Sequence, residues 1–322
     1  MTEIQIDKIK GVFFGQAIGD ALGLGTEFLT KDEIQSLYST PISTYSQIVQ
    51  DKHRSRWEKG DWTDDTEQFL CICDSILKCN EVSEHAFAEE LHTWYSGNPL
   101  GIGHTVLNVV KTPQFTLSPH KAAEIYWKIK KGKVASNGGI MRTSITGIFD
   151  FWDNESIIKN TEKICKVTHF DPRCVGSSVL VASIISELIS SQKELSKDEL
   201  IDIGNRYAPE IEESIKNSFS YEIGSLHLDE TVALGYTLKA LSAGLWAYFH
   251  ANSFESGILN VIHEGGDADT NASVAGSLLG AKFGYSKIPQ HLIDGLIRKE
   301  YLNDKFNAFL LCIQHRKLNS KI

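Results

Sequence analysis

Helical periodicity runs through this chain almost without a break, and no convincing period-two alternation interrupts it. From about Asp7 to Leu24 the apolar residues Ile9, Val12, Phe13, Phe14, Ala17, Ile18, Ala21 and Leu22 recur at helical intervals. Further helical segments follow at about 66–79, 84–95, 104–111, 119–131, 141–152, 155–168, 172–191, 196–206, 230–250, 254–263, 270–283, 289–299 and 303–316. Two of these are apolar nearly all round: 172–191, with Val175, Val179, Leu180 and Ile184, and 232–249, with Leu241, Leu245, Trp246 and Phe249. Such helices belong at the centre of a helical protein. The pattern predicts an all-α fold. With no linker or solenoid repeat, one domain over 1–322 is the simplest organisation.

The first helix carries glycines at 11, 15, 19 and 23, one stripe on its surface. Each glycine costs about 1 kcal/mol against alanine in an exposed helix interior. A compensation is close approach of another backbone, as in small-residue helix contacts. Tight packing alone would account for the glycines, but not for Asp20 and Glu27 at the far end of the same element. Residues 30–60 hold turn formers, mixed polarity and Pro41, and read as a long surface excursion suited to a mobile flap. The segment 207–228, with Pro209 and Gly224, reads as irregular and as a candidate ligand-facing loop.

Two acidic stretches precede apolar helical runs about 200 residues apart: Thr63-Asp64-Asp65-Thr66 and Gly265-Gly266-Asp267-Ala268-Asp269-Thr270. Consecutive oxygen donors converge only where the backbone turns into a helix, and Gly265-Gly266 supplies the freedom for such a bend. Four carboxylates brought together would repel and resist ionisation unless cations neutralise them. All-oxygen ligation favours Mg²⁺, Mn²⁺ or Ca²⁺ over zinc or copper. For either stretch alone, helix capping by Asp or Thr is the competing reading. It fits the Gly-Gly-Asp-Ala-Asp-Thr stretch less well, because one cap needs one oxygen.

A formal net charge of −9 without a large Lys/Arg cluster disfavours extended nucleic acid as a partner. No run of 18 apolar residues marks a membrane span, and the first residues lack the pattern of a secretory signal. The six cysteines show neither zinc nor disulfide spacing and read as reduced thiols, mostly buried. A cytoplasmic monomer is the default expectation.

Taken in order, Gly19-Asp20-Ala21-Leu22-Gly23 with Glu27, then Trp62-Thr63-Asp64-Asp65-Thr66, Asn137-Gly138-Gly139-Ile140-Met141-Arg142, Thr168-His169, and Gly265-Gly266-Asp267-Ala268-Asp269-Thr270 with Gly276, Gly280 and Gly284 resemble the ADP-ribosylglycohydrolase family. The resemblance covers about residues 11–284. It implies an orthogonal multi-helix bundle, a dinuclear Mg²⁺ or Mn²⁺ centre, and hydrolysis that frees ADP-ribose from a modified acceptor such as a protein. By motif position, Thr63, Asp64, Asp65, Asp267, Asp269 and Thr270 would be the metal ligands. Glu27, with the ligand carboxylates Asp64 and Asp269, would serve catalysis. Asn137, Gly138, Gly139, Met141 and Arg142 match a loop that receives the diphosphate and ribose, His169 matches a histidine at the substrate's edge, and Gly103 lies in a loop near the distal ribose. The chain departs from the usual Asn-Gly-Ser at Gly139, from a common proline at Ile145, and from an aspartate of some arginine-directed members at Gly101. Two other functions compete with this one: a non-catalytic ADP-ribose binder, and a metal-dependent phosphatase or nucleotide hydrolase. Scattered histidines such as His53 read as solvated or core residues.

Overall fold

The computed structural model describes residues 1–319. They form α1 (Glu3–Gly23), α2 (Lys31–Leu37), α3 (Asp64–Cys79), α4 (Glu84–Ser96), α5 (His104–Val110), α6 (Pro119–Ile129), α7 (Asn154–Cys165), α8 (Pro172–Ser190), α9 (Lys197–Gly204), α10 (Glu210–Asn217), α11 (Thr237–His250), α12 (Phe254–Ile262), α13 (Ala268–Phe283), α14 (Gln290–Asp294) and α15 (Lys299–Asn319), joined by turns and short 3₁₀ segments. Among the described residues there is no sheet, only one isolated bridge between Ser136 and Tyr236. The fold is all-α, as the periodicity requires.

The centre of the bundle is the antiparallel pair α1 and α13, and glycine makes it. A Cβ built on Gly11 would lie 2.2 Å from the carbonyl oxygen of Gly280, on Gly15 2.1 Å from that of Gly276, and on Gly19 2.0 Å from that of Ala272. The contact is reciprocal, since a Cβ on Gly276 would meet the oxygen of Gly15 at 2.0 Å. No side chain fits between the helices, so their backbones touch. Because the pair is antiparallel, the end of α1 lies beside the start of α13. That juxtaposition carries Asp20 and Glu27 to Asp267 and Asp269.

Helices α8 and α11 pack around this pair with Val179, Leu180, Ile184, Leu241 and Leu245 fully buried. The α8 segment Pro172–Ser190 has the length and apolarity of a membrane span, but 78% of that window is buried inside the fold. All six cysteines are free; Cys71, Cys73, Cys165 and Cys174 are buried, Cys312 is partly buried and Cys79 is exposed.

Four expectations are corrected. The helix expected over 141–152 is a 3₁₀ segment, Thr143–Gly147, flanked by turns. Its hydroxyls bond locally, Thr143 Oγ1 to the Gly139 carbonyl at 3.1 Å and Thr146 Oγ1 to that of Thr143 at 2.7 Å, which competes with regular helix. The irregular stretch 207–228 contains α10, because Pro209 stands just before its first turn and a proline there does not break a helix. The helix expected from residue 230 begins at Thr237, and the residues before it form turns. The segment 30–60 is not a loose excursion. It contains α2 and buries Ile34, Tyr38, Ile42, Tyr45, Ile48, Arg54 and Trp57.

Candidate functional site

Asp20, near the end of α1, organises the first acidic stretch. Its Oδ1 accepts from the backbone N of Thr63 at 2.9 Å and from Thr63 Oγ1 at 2.8 Å. Its Oδ2 accepts from the backbone N of Thr66 at 2.9 Å and from Thr66 Oγ1 at 2.6 Å. Asp20 therefore does from another helix what an N-cap side chain does locally, and it frees the side chains at the start of α3 for other partners. Thr63 and Asp267 occupy the N-cap positions of α3 and α13, and neither side chain makes a capping hydrogen bond.

The second stretch bends as its glycines allow. Gly265 and Gly266 have φ of +71° and +70°; a Cβ on Gly265 would lie 2.2 Å from the Leu29 oxygen, and one on Gly266 2.1 Å from the Leu228 oxygen. Backbone bonds from Phe28 N to the Gly266 carbonyl (2.6 Å) and from Gly266 N to that of Leu29 (2.9 Å) lock the bend against the Glu27 segment. One carboxylate oxygen from each of Glu27, Asp267 and Asp269 then falls within 4.8 Å of the others. Asn137 Nδ2 donates to Asp267 Oδ2 at 2.6 Å, and the backbone N of Thr270 donates to Asp269 Oδ1 at 2.8 Å.

These oxygens are short of protons. Thr63 Oγ1 has one hydrogen, directed at Asp20, yet Asp65 Oδ2 and Asp269 Oδ2 each lie 3.5 Å away, so lone pairs face lone pairs. Asp65 Oδ1 is buried without a hydrogen-bond partner among the described residues. Burial, then neighbouring carboxylates, pushes Asp64 up to about 7 and Asp65 and Asp269 well above the usual carboxylate range. Burial raises Asp267 to about 6, with Glu27 adding to it, and raises Asp20 to about 6 against the lowering by its four hydrogen bonds. An all-oxygen, proton-poor cluster fits hard divalent cations.

The cluster forms the floor of a cleft of about 410 Å³. Of the residues expected at the site, Glu27, Thr63, Asp64, Asp65, Gly103, Asn137, Gly138, Met141, His169, Asp267, Asp269 and Thr270 all line it. Gly139 and Arg142 do not. Gly139 backs onto Cys165 and His169, and Arg142 is fully buried, so both stand behind the wall of the cleft rather than on it.

Two features carry no clear signal in the sequence. His53 Nε2 lies 2.6 Å from Glu27 Oε2, while Arg54 Nη2 donates to the Glu27 carbonyl at 2.5 Å. Residues 53 and 54 thus clamp Glu27, and nothing in a lone histidine 26 positions away announces it. Gly235 is the second: a Cβ there would lie 3.3 Å from Asp267 Oδ2, and its carbonyl accepts from Asn137 N at 3.0 Å.

The family model described as ADP-ribosylglycohydrolase matches residues 1–317. An ADP-ribosylarginine hydrolase of Serratia proteamaculans (strain 568) is 27% identical over 308 residues, spanning 93% of this chain and 78% of that protein. The ADP-ribosyl-dinitrogen reductase glycohydrolase of Rhodospirillum rubrum is 24% identical over 305 residues, spanning 91% of each. A solved structure described as an ADP-ribosylglycohydrolase-related protein complex superposes with a TM-score of 0.76 at 23% identity, covering 96% of this chain and 98% of its own, and shares the fold. With a family match over nearly its whole length, the chain belongs to the ADP-ribosylglycohydrolase family.

Proposed function

We propose that this enzyme hydrolyses the glycosidic bond between ADP-ribose and a modified acceptor, a protein side chain, and so reverses ADP-ribosylation. The observation that carries the reading is the convergence of Glu27 and the two acidic helix starts on the floor of one cleft, in a member of this family. Thr63, Asp64, Asp65, Asp267, Asp269 and Thr270 would hold two Mg²⁺ or Mn²⁺ ions, which supply Lewis acidity and a fixed charge at the sugar.

The chain's own residues then divide the work. Asp20 and Asn137 orient Thr63 and Asp267 by the hydrogen bonds described above. Glu27, held by His53, is the acid–base group that moves a proton as the bond breaks through an oxocarbenium-like state. Gly138 lines the cleft without a side chain that would press on the His169 ring, and glycine backbone at such a wall suits a diphosphate. The protein is taken to act in the cytoplasm, as a monomer, on ADP-ribosylated protein.

A panel of ADP-ribosylated substrates differing only in the acceptor, incubated with Mg²⁺ or Mn²⁺, tests this. Free ADP-ribose that disappears with chelator is the expected product. AMP instead identifies a phosphatase or nucleotide hydrolase, and ADP-ribose binding without turnover on any linkage identifies a binder.

A further inference from the structure

Arg142 is a fully buried guanidinium whose hydrogen bonds go to neutral groups. Burying a cation without a carboxylate partner is costly, so the fold has to hold it by other means. It lies over the Phe87 ring, 5.0 Å from the centroid. Nη1 donates to Gln68 Oε1 at 2.6 Å, and Gln68 Nε2 donates in turn to Asp64 Oδ2 at 2.9 Å. Nη2 donates to Thr168 Oγ1. Arginine can only donate, so the direction of each bond is settled.

Directionality continues past Thr168. Its buried hydroxyl accepts from Arg142 and has one proton to give, and His169 Nδ1 lies 2.7 Å away. At the other side of the ring, Ser136 Oγ donates its proton to Thr105 Oγ1 at 2.8 Å, so it can only accept from His169 Nε2, 3.0 Å distant. Both ends demand the same tautomer, with Nδ1 bare and the proton on Nε2. Burial, and then the charge of Arg142, holds the imidazole neutral. Gly138 exposes this edge: a Cβ there would lie 2.8 Å from His169 Cε1 and 3.0 Å from Nε2.

We infer that Arg142 and Thr168 are positioning residues that hold His169 as the Nε2–H tautomer, so that the ring edge turned to the cleft beside Ser136 is a fixed, neutral donor whose one proton is shared between Ser136 Oγ and an anionic oxygen of the ligand. The same guanidinium steadies Asp64 through Gln68, tying the acidic floor to the opposite wall. The identity of that ligand as ADP-ribose rests on the proposed function; the tautomer does not.

Long-range proton–nitrogen correlation spectra of protein labelled with ¹⁵N-histidine read the tautomer directly. The His169 signal is identified among the 11 histidines by its loss in His169→Gln. The wild type is expected to show a bare Nδ1 and a protonated Nε2 from about pH 6 to 8. Thr168→Val, nearly isosteric, should mix the tautomers and weaken ADP-ribose binding about tenfold while leaving Mn²⁺ affinity unchanged. Thr168→Ser should restore both. Arg142→Lys, which keeps a charge but not the fork, should mix the tautomers as well. A protonated Nδ1 in the wild type overturns the inference, as does a Thr168→Val protein with unaltered tautomer or unaltered ADP-ribose affinity. If the wild type shows the expected tautomer but binds no ADP-ribose, the proposed function fails and the tautomer assignment stands.

Discussion

Replacing Gly19 with alanine tests whether backbone contact between α1 and α13 assembles the site. The new Cβ would lie 2.0 Å from the Ala272 carbonyl oxygen, 2.4 Å from its carbon and 2.9 Å from Ser273 N. All three are backbone atoms, so no rotamer change relieves the clash. The oxygen is roughly 1.4 Å inside ordinary van der Waals contact, and the helices must part by about that much. Overpacking of this kind costs about 1–3 kcal/mol or more, against which alanine recovers about 1 kcal/mol of helix propensity. The functional effect is larger than the net destabilisation, because Gly19 precedes Asp20 and Ala272 follows Asp269 by less than one turn. Metal ligation tolerates only about 0.2 Å of ligand displacement. Mn²⁺ affinity should therefore fall at least about tenfold, the scale seen when groups that orient metal ligands are removed. Calorimetric titration of Mn²⁺ and thermal unfolding of the same sample measure both effects. Gly103→Ala is the control, since a Cβ there meets nothing within 4 Å and its φ of −63° suits alanine. Wild-type Mn²⁺ affinity in folded Gly19→Ala would refute the idea that the glycine contact sets the ligand geometry.

Asp269→Ala should abolish release of ADP-ribose and leave the helical circular dichroism spectrum unchanged; wild-type turnover in it would exclude the acidic cluster from the reaction. His53→Ala removes the partner of Glu27 Oε2, and because His53 is partly exposed the change should lower kcat about tenfold with little loss of melting temperature. An unchanged kcat would show that Glu27 needs no clamp. Stability without metal should depend on pH in a defined direction. Asp20 and Asp267 are raised to about 6 and Asp64 to about 7, so the folded state binds more protons than the unfolded chain. Their protonated forms stabilise the fold at pH below the ordinary carboxylate value, and this is lost as pH rises through about 6 to 7. The melting temperature of chelated protein should drop over that interval, and the increase on adding Mg²⁺ should be greater at about pH 8 than at about pH 5. An increase independent of pH would mean that metal does not replace protons on this cluster.

Much of the architecture was legible because it is written locally. The all-α class follows from apolar spacing, and the central positions of α8 and α11 follow from their all-round apolarity. The stripe at 11, 15, 19 and 23 announced a close backbone approach, and Gly265-Gly266 announced a bend, because in both cases the missing side chain is itself the signal. Local signals also misled. Helical spacing over 141–152 concealed hydroxyls that compete for backbone carbonyls, and Pro209 disguised the start of α10 as irregular chain.

By its sequence alone the protein is a helical bundle with two acidic helix starts and a glycine-lined helix, since periodicity, bend and stripe depend only on near neighbours along the chain. Tertiary structure alone decided that Asp20 ties Thr63 and Thr66 from another helix, that His53 clamps Glu27, and that Arg142 stands behind the cleft rather than in it. Those outcomes depend on which side chains meet across 26 or more positions of sequence. A hydrogen-bond partner at that distance leaves no periodic trace in the chain, because its direction is set by the packing of whole helices.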